Sequence, residues 1–345
     1  MVHDPSAPTA APHAEGDQRN VAARFWRRGA VLCLLGLVAA ALLSAGLLSI
    51  SHSPRPHHLA VGWVGSTQGA AALERSAGEA LRVEQLPNEQ AAITRIRTLK
   101  LYGAFVVDGG GTQLLIANAA SPQVATVLKT MATRLTTSPN TVEVTDVVPL
   151  PAGDPGGNGL ATMIQVTVLA GTIGALGLGR LVPRYRANPM AGELPIALQM
   201  VYAMVVSSGV VAIASAFGVG SQAGWWPRLL ALALVSLSVT ASVCTFVAIA
   251  GTAGAAVGGV VFFLLGVPTS GGATALPMMP PAWRDFGQAL PTGAGATLLR
   301  RVFYFPGAAI RGPVAVLVLY AAIGIVAIVT LSIAALRHRA LTGPA

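Results

Sequence analysis

Between Glu193 and Arg284 the chain carries one formally charged residue, Arg228. No Asp, Glu, Lys or Arg occurs between Arg28 and Arg55, between Asp154 and Arg180, or between Arg311 and Arg337. Runs of this kind cannot coat a water-soluble globule, whereas a bilayer core of about 30 Å needs about 20 apolar helical residues. Composition agrees: 53% of the 345 residues are hydrophobic and 10% are charged, against about 25% charged in a soluble domain. The fold class expected is therefore an α-helical integral membrane protein. Each shorter gap holds one helix. Turn residues divide the long gap: Gly218, Gly220, Gly224 and Pro227 mark one break, Gly251 and Gly254 a second, and Pro268 ends the third run. Spans are predicted at about 30–50, 159–179, 197–218, 228–249, 252–267 and 313–335, six transmembrane helices in all.

A formal charge of +9 and a pI near 10.5 raise nucleic-acid binding, which needs a contiguous basic face. The charge is spread over helix ends instead. With a cytoplasmic N-terminus, Arg19, Arg24, Arg27, Arg28, Arg180, Arg184, Arg186, Arg337 and Arg339 fall inside. Arg55, Arg228, Arg284, Arg300, Arg301 and Arg311 fall outside. This imbalance predicts that both termini are cytoplasmic. The basic cluster in 268–311 runs against the rule. The first apolar run, at about 21 residues, exceeds the 7–15 of a signal-peptide core and reads as an uncleaved anchor. Cys33 and Cys244 both sit in apolar runs and form no disulfide framework.

Residues 1–18 read as a disordered cytoplasmic tail. In 19–29, Val21, Ala22, Phe25 and Trp26 share a helical face opposite Arg24, Arg27 and Arg28. That pattern suits an interfacial helix leading into the first span, or simply a basic flank. Between the first two spans, 51–157 is long enough for one small domain. It reads as strand 58–64, helix 70–81, strand 83–86, helix 88–99 capped by Asn88, strands 101–107 and 113–117 around Asp108-Gly-Gly-Gly, helix 122–135 and strand 141–148. The order βαβαββαβ predicts an extracytoplasmic α/β domain with a mixed sheet. Its eight basic and eight acidic residues balance, leaving no face for nucleic acid. The five-helix remainder is 158–345.

Motifs for catalysis are absent. Lys100 and Lys129 are the only lysines and neither follows a phosphate-binding glycine loop, so the chain cannot hydrolyse ATP itself. Neither Gly-x-Ser-x-Gly, Cys-x-x-Cys nor His-Glu-x-x-His occurs, and no enzyme or cofactor is expected. His52, His57 and His58 suggest copper or zinc, but Pro54 and Pro56 make the segment an extended linker without a supporting carboxylate or thiolate. No Asp, Glu or His lies inside a span, which argues against ion-coupled transport. Mild polarity remains, including Gln165, Gln199, Ser207, Ser236, Ser238, Thr240, Ser242 and Thr245. Gly254 and Gly258 form a Gly-x-x-x-Gly pair for close helix packing, and Trp225 and Trp226 suit an aromatic belt.

Residues 268–311 are neither span nor ordinary loop. Pro268-Thr-Ser-Gly-Gly272 is followed by Leu276-Pro-Met-Met-Pro-Pro281, an amphipathic stretch 282–290 with Trp283 and Phe286 on its apolar side, Pro291, and a second short helix 293–305. Apolar content with repeated breaks predicts a re-entrant segment, or a loop lying on the surface.

Taken together, Gly266, Pro268, Ser270, Gly271 and Gly272, then Pro277, Pro280, Trp283, Phe286, Leu290, Pro291 and Arg300, with Tyr102-Gly-Ala-Phe-Val-Val107 in the domain, resemble type-2 ABC exporter permeases. The nearest branch is the phage infection protein (YhgE/Pip)-like one, and the likeness spans most of 20–336. The resemblance implies a bacterial inner-membrane permease subunit, a dimer or paired half, exporting a hydrophobic or amphipathic compound. It implies ATP on a separate cytoplasmic ABC ATPase, with 19–29 as connecting helix and 180–193 as coupling loop. Arg180, Arg184 and Arg186 would face the ATPase, unless they serve topology alone. The alternative expectation is a non-transporting envelope protein whose outer domain binds a partner or cell-wall component.

Overall fold

The computed structural model describes residues 55–108, 111–135, 142–181, 193–220 and 222–342, with helical positions spaced three and four apart between Trp26 and Leu48. By its internal contacts the chain divides into Met1–His52 and Ser53–Ala345. The tail 1–18, most of 19–29 and of the first predicted span, His52, Arg184 and Arg186 lie outside the described residues. Within that span Cys33, Leu34 and Leu37 are helical and exposed.

The second unit opens with β1 (Leu59–Val64), α1 (Thr67–Ala77), β2 (Leu81–Leu86), α2 (Glu89–Arg97), β3 (Gly103–Asp108), β4 (Gly111–Ile116), α3 (Pro122–Leu135) and β5 (Val142–Asp146). This is the predicted βαβαββαβ order. The five strands align β2-β1-β3-β4-β5, parallel except for the β3–β4 pair. Asn88 caps α2 as expected, accepting from the Ala91 amide at 2.8 Å. Helix α1 starts three residues before the predicted boundary because Ser66 accepts from the Gly69 amide at 3.2 Å and supplies a cap. β2 begins at Leu81, two residues early, since buried Leu81 pairs with buried Leu59.

Alternate strand residues feed two cores. Leu59, Val61, Phe105 and Leu114 pack on one face with Leu73 of α1 and Leu128 of α3. Ala104, Val106 and Leu115 pack on the other with Ala92 and Ile96 of α2. This second core runs without a break into the helical body through Leu160, Ile164, Phe303 and Phe305.

That body comprises α4 (Gly159–Leu181), α5 (Glu193–Ala216), α6 (Trp225–Ala250), α7 (Thr252–Thr269, with a π-helical stretch at Gly259–Leu265), α8 (Pro281–Ala289), α9 (Pro291–Tyr304) and α10 (Arg311–Thr342). Five of these, α4, α5, α6, α7 and α10, are long and apolar enough to cross a membrane, and they coincide with the last five predicted spans. Between α6 and α7 the chain turns at Gly251, whose φ of +60° suits glycine.

Helix α6 is the axle. It packs against α4, α5, α7, α9 and α10, and two-thirds of its apolar window is buried. Glycines meet it from four neighbours. A Cβ on Gly171 of α4 would stand 3.1 Å from Thr240, on Gly295 of α9 2.9 Å from Val235, and on Gly324 of α10 2.7 Å from the Ala241 backbone. Gly254 and Gly258 of α7 abut Phe246 and Val243 of α6, so the predicted Gly-x-x-x-Gly pair serves the adjacent α6–α7 hairpin. In hydrocarbon, helices gain little from burying apolar surface and associate through such close backbone approach. The Gly324 carbonyl accepts a hydrogen bond from Thr245 Oγ1 at 3.2 Å, across the α6–α10 contact.

Helix α5 is polar inward and apolar outward. Gln199, Ala203, Ser207, Val211 and Ala214 are buried at spacings of four and three residues, while Leu198, Met200, Val201, Val205 and Ile213 are exposed. A water-soluble helix shows the reverse.

Charged groups stand at helix ends. Asp154 is buried and accepts from the amides of Asn158 and Gly159, both at 2.9 Å, where α4 starts. Arg228, buried at the start of α6, donates to Ser215 Oγ at 3.0 Å and to the Val219 carbonyl at 3.5 Å, where α5 ends. Cationic capping of carbonyls at a helix C-terminus accounts for the one charge in the long apolar stretch. The start of α4, the end of α5, the start of α6, the end of α7 and the start of α10 therefore share the end that carries the α/β domain. The end of α4, the Gly251 turn and the end of α10 lie at the other.

Replacing Gly324 by Ala forces the α6–α10 contact apart and should cost about 1–3 kcal/mol. Gly177→Ala, at an exposed α4 position with no atom within 4 Å, should be neutral or stabilising by up to about 1 kcal/mol. SDS-unfolding midpoints in mixed micelles read both; equal effects would contradict the packing.

Candidate functional site

The most polar arrangement in the helical body lies between α7 and α10, where the chain passes through α8 and α9. After α7 the backbone turns at Ser270-Gly271-Gly272, with Gly271 at φ +81°. Ser270 Oγ donates to the Val267 carbonyl at 2.7 Å and accepts from the Gly272 amide at 3.1 Å, which locks the turn on itself. Its three carbonyls then point at side chains of α8 and α9. Gln288 Nε2 donates to the Ser270 carbonyl at 3.0 Å. Arg300 Nη2 donates to the Gly271 carbonyl at 2.7 Å and the Gly272 carbonyl at 3.1 Å. Thr297 Oγ1 donates to Gln288 Oε1 at 2.7 Å and joins the two helices.

Prolines set the breaks. Pro281 and Pro291 each occupy the first position of α8 and α9, where a missing amide hydrogen costs nothing. Pro268 lies in the last turn of α7, and Pro277 in a short 3₁₀ turn whose carbonyl accepts from the His57 amide at 2.8 Å, tying the chain before β1 to this segment. Pro280 precedes α8. Gly287 of α8 lies directly against the Thr269 backbone. Trp283 and Phe286 meet edge to face with centroids 6.1 Å apart. Helix α9 is buried along most of its length, including Thr292, Ala294, Ala296, Leu298 and Leu299.

These contacts absorb the basic cluster that the arginine rule leaves unexplained. Arg284 pairs with Asp285 at 3.1 Å, and Arg301 Nη1 donates to the Ala309 carbonyl ahead of α10. Arg300 pairs with no carboxylate among the described residues. Desolvation holds the Arg300 guanidinium below its usual range, although Tyr102 and Tyr304 nearby pull it back up. Tyr102 and Arg300, far apart in sequence, are thus brought together.

Above this network a cavity of about 80 Å³ separates the α/β domain from the helical body. Ser121 and Gln123 at the start of α3, Asn158 before α4, Gly272, Arg300 and Tyr304 line it. Tyr304 is 4% exposed, and its hydroxyl has no hydrogen-bond partner among the described residues. Burial, with a contribution from Asp154, pushes the Tyr304 phenol up to about 12. A wider hollow of about 400 Å³, lined by Thr94, Thr98, Val148, Pro306 and Tyr304, adjoins the same tyrosine.

Of the residues predicted to face an ATPase, Arg180 is in the last turn of α4, at the end away from the α/β domain. Arg184 and Arg186 lie outside the described residues. His57 and His58 are described, and among the described residues no group of three metal-ligating side chains forms. The roles of Tyr304, Gln288 and Arg228 were not legible as motifs; a lone cation in an apolar run was the one signal for Arg228. Comparison with known proteins gives no match: no family model, no curated protein and no solved structure is significantly similar to this chain.

A phenol with a higher pKa folded than unfolded keeps its proton while the unfolded chain loses it, so stability falls as pH rises. From the usual value of 10 to about 12, Tyr304 should cost the protein about 2–3 kcal/mol by pH 12. Tyr304→Phe should lose correspondingly less stability over that window in SDS-unfolding midpoints. Parallel curves for the two proteins would contradict the burial of this hydroxyl.

Proposed function

We propose that the chain is the permease subunit of an ABC-type exporter, moving a hydrophobic or amphipathic compound and energised by a separate cytoplasmic ATPase. The observation that carries this reading is the helical pair α8–α9 between the last two long helices. Helix α9 is largely buried against α4, α6, α7 and α10 at the end that bears the α/β domain, α8 packs on α7 and α9 through Gly287, and the turn before them is pinned by Arg300. In the proposed arrangement this pair is re-entrant from the outer leaflet, where only backbone covered by protein is tolerated. The first apolar run, about 30–50, supplies a sixth span, and both termini are cytoplasmic in a bacterial inner membrane.

Buried polar atoms on the facing helices add support. Thr167 Oγ1, Gln199 Oε1, Ser207 Oγ, Ser236 Oγ and Thr240 Oγ1 have no hydrogen-bond partner among the described residues. Such groups in an apolar body are costly unless water or a passing molecule meets them. The broad apolar face of α5 suits lipid or a second permease half. In this arrangement 180–193 is the coupling loop, and Arg180, Arg184 and Arg186 contact the ATPase.

Affinity purification from native membranes should bring down an ABC ATPase, and the reconstituted permease should stimulate its ATP hydrolysis. Arg184→Ala with Arg186→Ala should reduce co-purification at least tenfold while membrane insertion stays normal. An ATPase neither recovered nor stimulated would sink the permease reading in favour of an envelope protein whose outer domain binds a partner. Unchanged recovery with the double variant would remove the coupling assignment alone.

A further inference from the structure

We propose that the cavity between α3, the start of α4 and α9 binds an anionic oxygen group, a phosphate or carboxylate, through the Arg300 guanidinium, the Tyr304 hydroxyl and the N-terminus of α3. Three independent features converge there. Among the described residues Arg300 has no carboxylate partner, and its hydrogen bonds to the Gly271 and Gly272 carbonyls come from Nη2 alone. A guanidinium withdrawn from water normally meets a counter-charge, in a forked geometry that suits a carboxylate or phosphate. Tyr304 is 96% buried, yet its hydroxyl finds no acceptor among the described residues. Buried phenols seldom go unpaired, and an anion in the cavity supplies the missing acceptor.

The third feature is the start of α3, a helix of 14 residues whose first residues, Ser121 to Gln123, line the same space. Pro122 has no amide hydrogen, and Ser121 Oγ accepts from the Val124 amide at 3.2 Å, which leaves the serine proton free to donate. The positive end of the helix dipole adds to Arg300. Two carboxylates stand nearby among the described residues: Asp146, which accepts from the Asn118 amide and side chain at the cavity wall, and Asp154, whose charge acts on Tyr304. Both Asp154 oxygens already accept backbone amides at the start of α4, which offsets its charge.

Size selects the ligand. About 80 Å³ admits a phosphate or carboxylate group, but falls well below the roughly 300–1,000 Å³ of pockets for drug-sized molecules. The cavity itself is therefore too small to hold an exported compound of that size. Gln123, Gly156 and Asn158 at its rim are exposed, so an anion can reach it from solution or as a lipid headgroup at the membrane face. Bound there, it links α3 of the α/β domain to α9 of the helical body. This holds whether or not the chain works with an ATPase.

The test is calorimetric titration of the full-length, delipidated protein in a neutral detergent. Inorganic phosphate is titrated at constant ionic strength in one arm, short-chain phosphatidylglycerol in another, and short-chain phosphatidylcholine serves as reference. Saturable binding of one phosphate or one phosphatidylglycerol per chain is expected. Binding in the phosphate arm alone assigns a soluble anion, and in the phosphatidylglycerol arm alone a lipid headgroup. Tyr304→Phe removes only an unpartnered hydroxyl and should leave the ligand-free unfolding midpoint at neutral pH unchanged while weakening binding about 3- to 10-fold. Arg300→Gln should weaken it at least 30-fold; if that variant fails to fold, Tyr304→Phe decides. Absence of saturable binding in both arms, or a Tyr304→Phe protein that binds as tightly as the parent, would overturn the proposal.

Discussion

Close approach to α6 is the constraint on which the rest of the helical body depends. In a bilayer, lipid tails are as apolar as leucine, so helices assemble by fitting backbones together. Thr240, Val235, Ala241, Phe246 and Val243 of α6 meet, respectively, Gly171, Gly295, Gly324, Gly254 and Gly258 on four surrounding helices. Hydroxyls that would otherwise be stranded return to carbonyls one turn back: Ser242 to Ser238 at 2.8 Å and Thr245 to Ala241 at 3.0 Å. The apolar bulk is left to face outward on α5 and α10.

That geometry explains where ionisable groups go. With α6 taken up by neighbours along its length, charge is tolerated only where helices end. Asp154 covers amides at the start of α4, Arg228 covers carbonyls at the end of α5, and Arg300 covers the turn after α7. Each is a charge paired with backbone dipoles rather than with an opposite charge. The basic excess of the chain is accordingly a property of helix ends, and its densest part, in 268–311, is structural before it is electrostatic.

Much of this was legible because it is local. Charge gaps located α4, α5, α6, α7 and α10 to within a few residues, and alternation around Asp108 foretold the β3–β4 pair. Even the short helices α8 and α9 could be read, since proline marks both of their starts. What was hidden is what depends on distant partners. The spacing of Gly254 and Gly258 was visible on one helix, but Gly171, Gly295 and Gly324 acquire their role only when three helices converge on α6. Arg300 bonds to carbonyls 29 and 28 residues away, and the unpartnered Tyr304 hydroxyl lies within no motif. The π-helical stretch at Gly259–Leu265 likewise left no mark in the hydrophobic pattern.

The proposed function assigns two opposite faces to the helical body: an outer one bearing the α/β domain and the α8–α9 pair, and a cytoplasmic one bearing the Gly251 turn. Cysteine labelling with a membrane-impermeant maleimide in intact cells, after replacing Cys33 and Cys244, tests this directly. Glu74→Cys in α1 and Asp285→Cys in α8, both exposed, should label from outside, whereas Thr252→Cys at the α6–α7 turn should label only after the membrane is opened. Labelling of Thr252→Cys in intact cells, or protection of Asp285→Cys and Glu74→Cys there, would contradict the account.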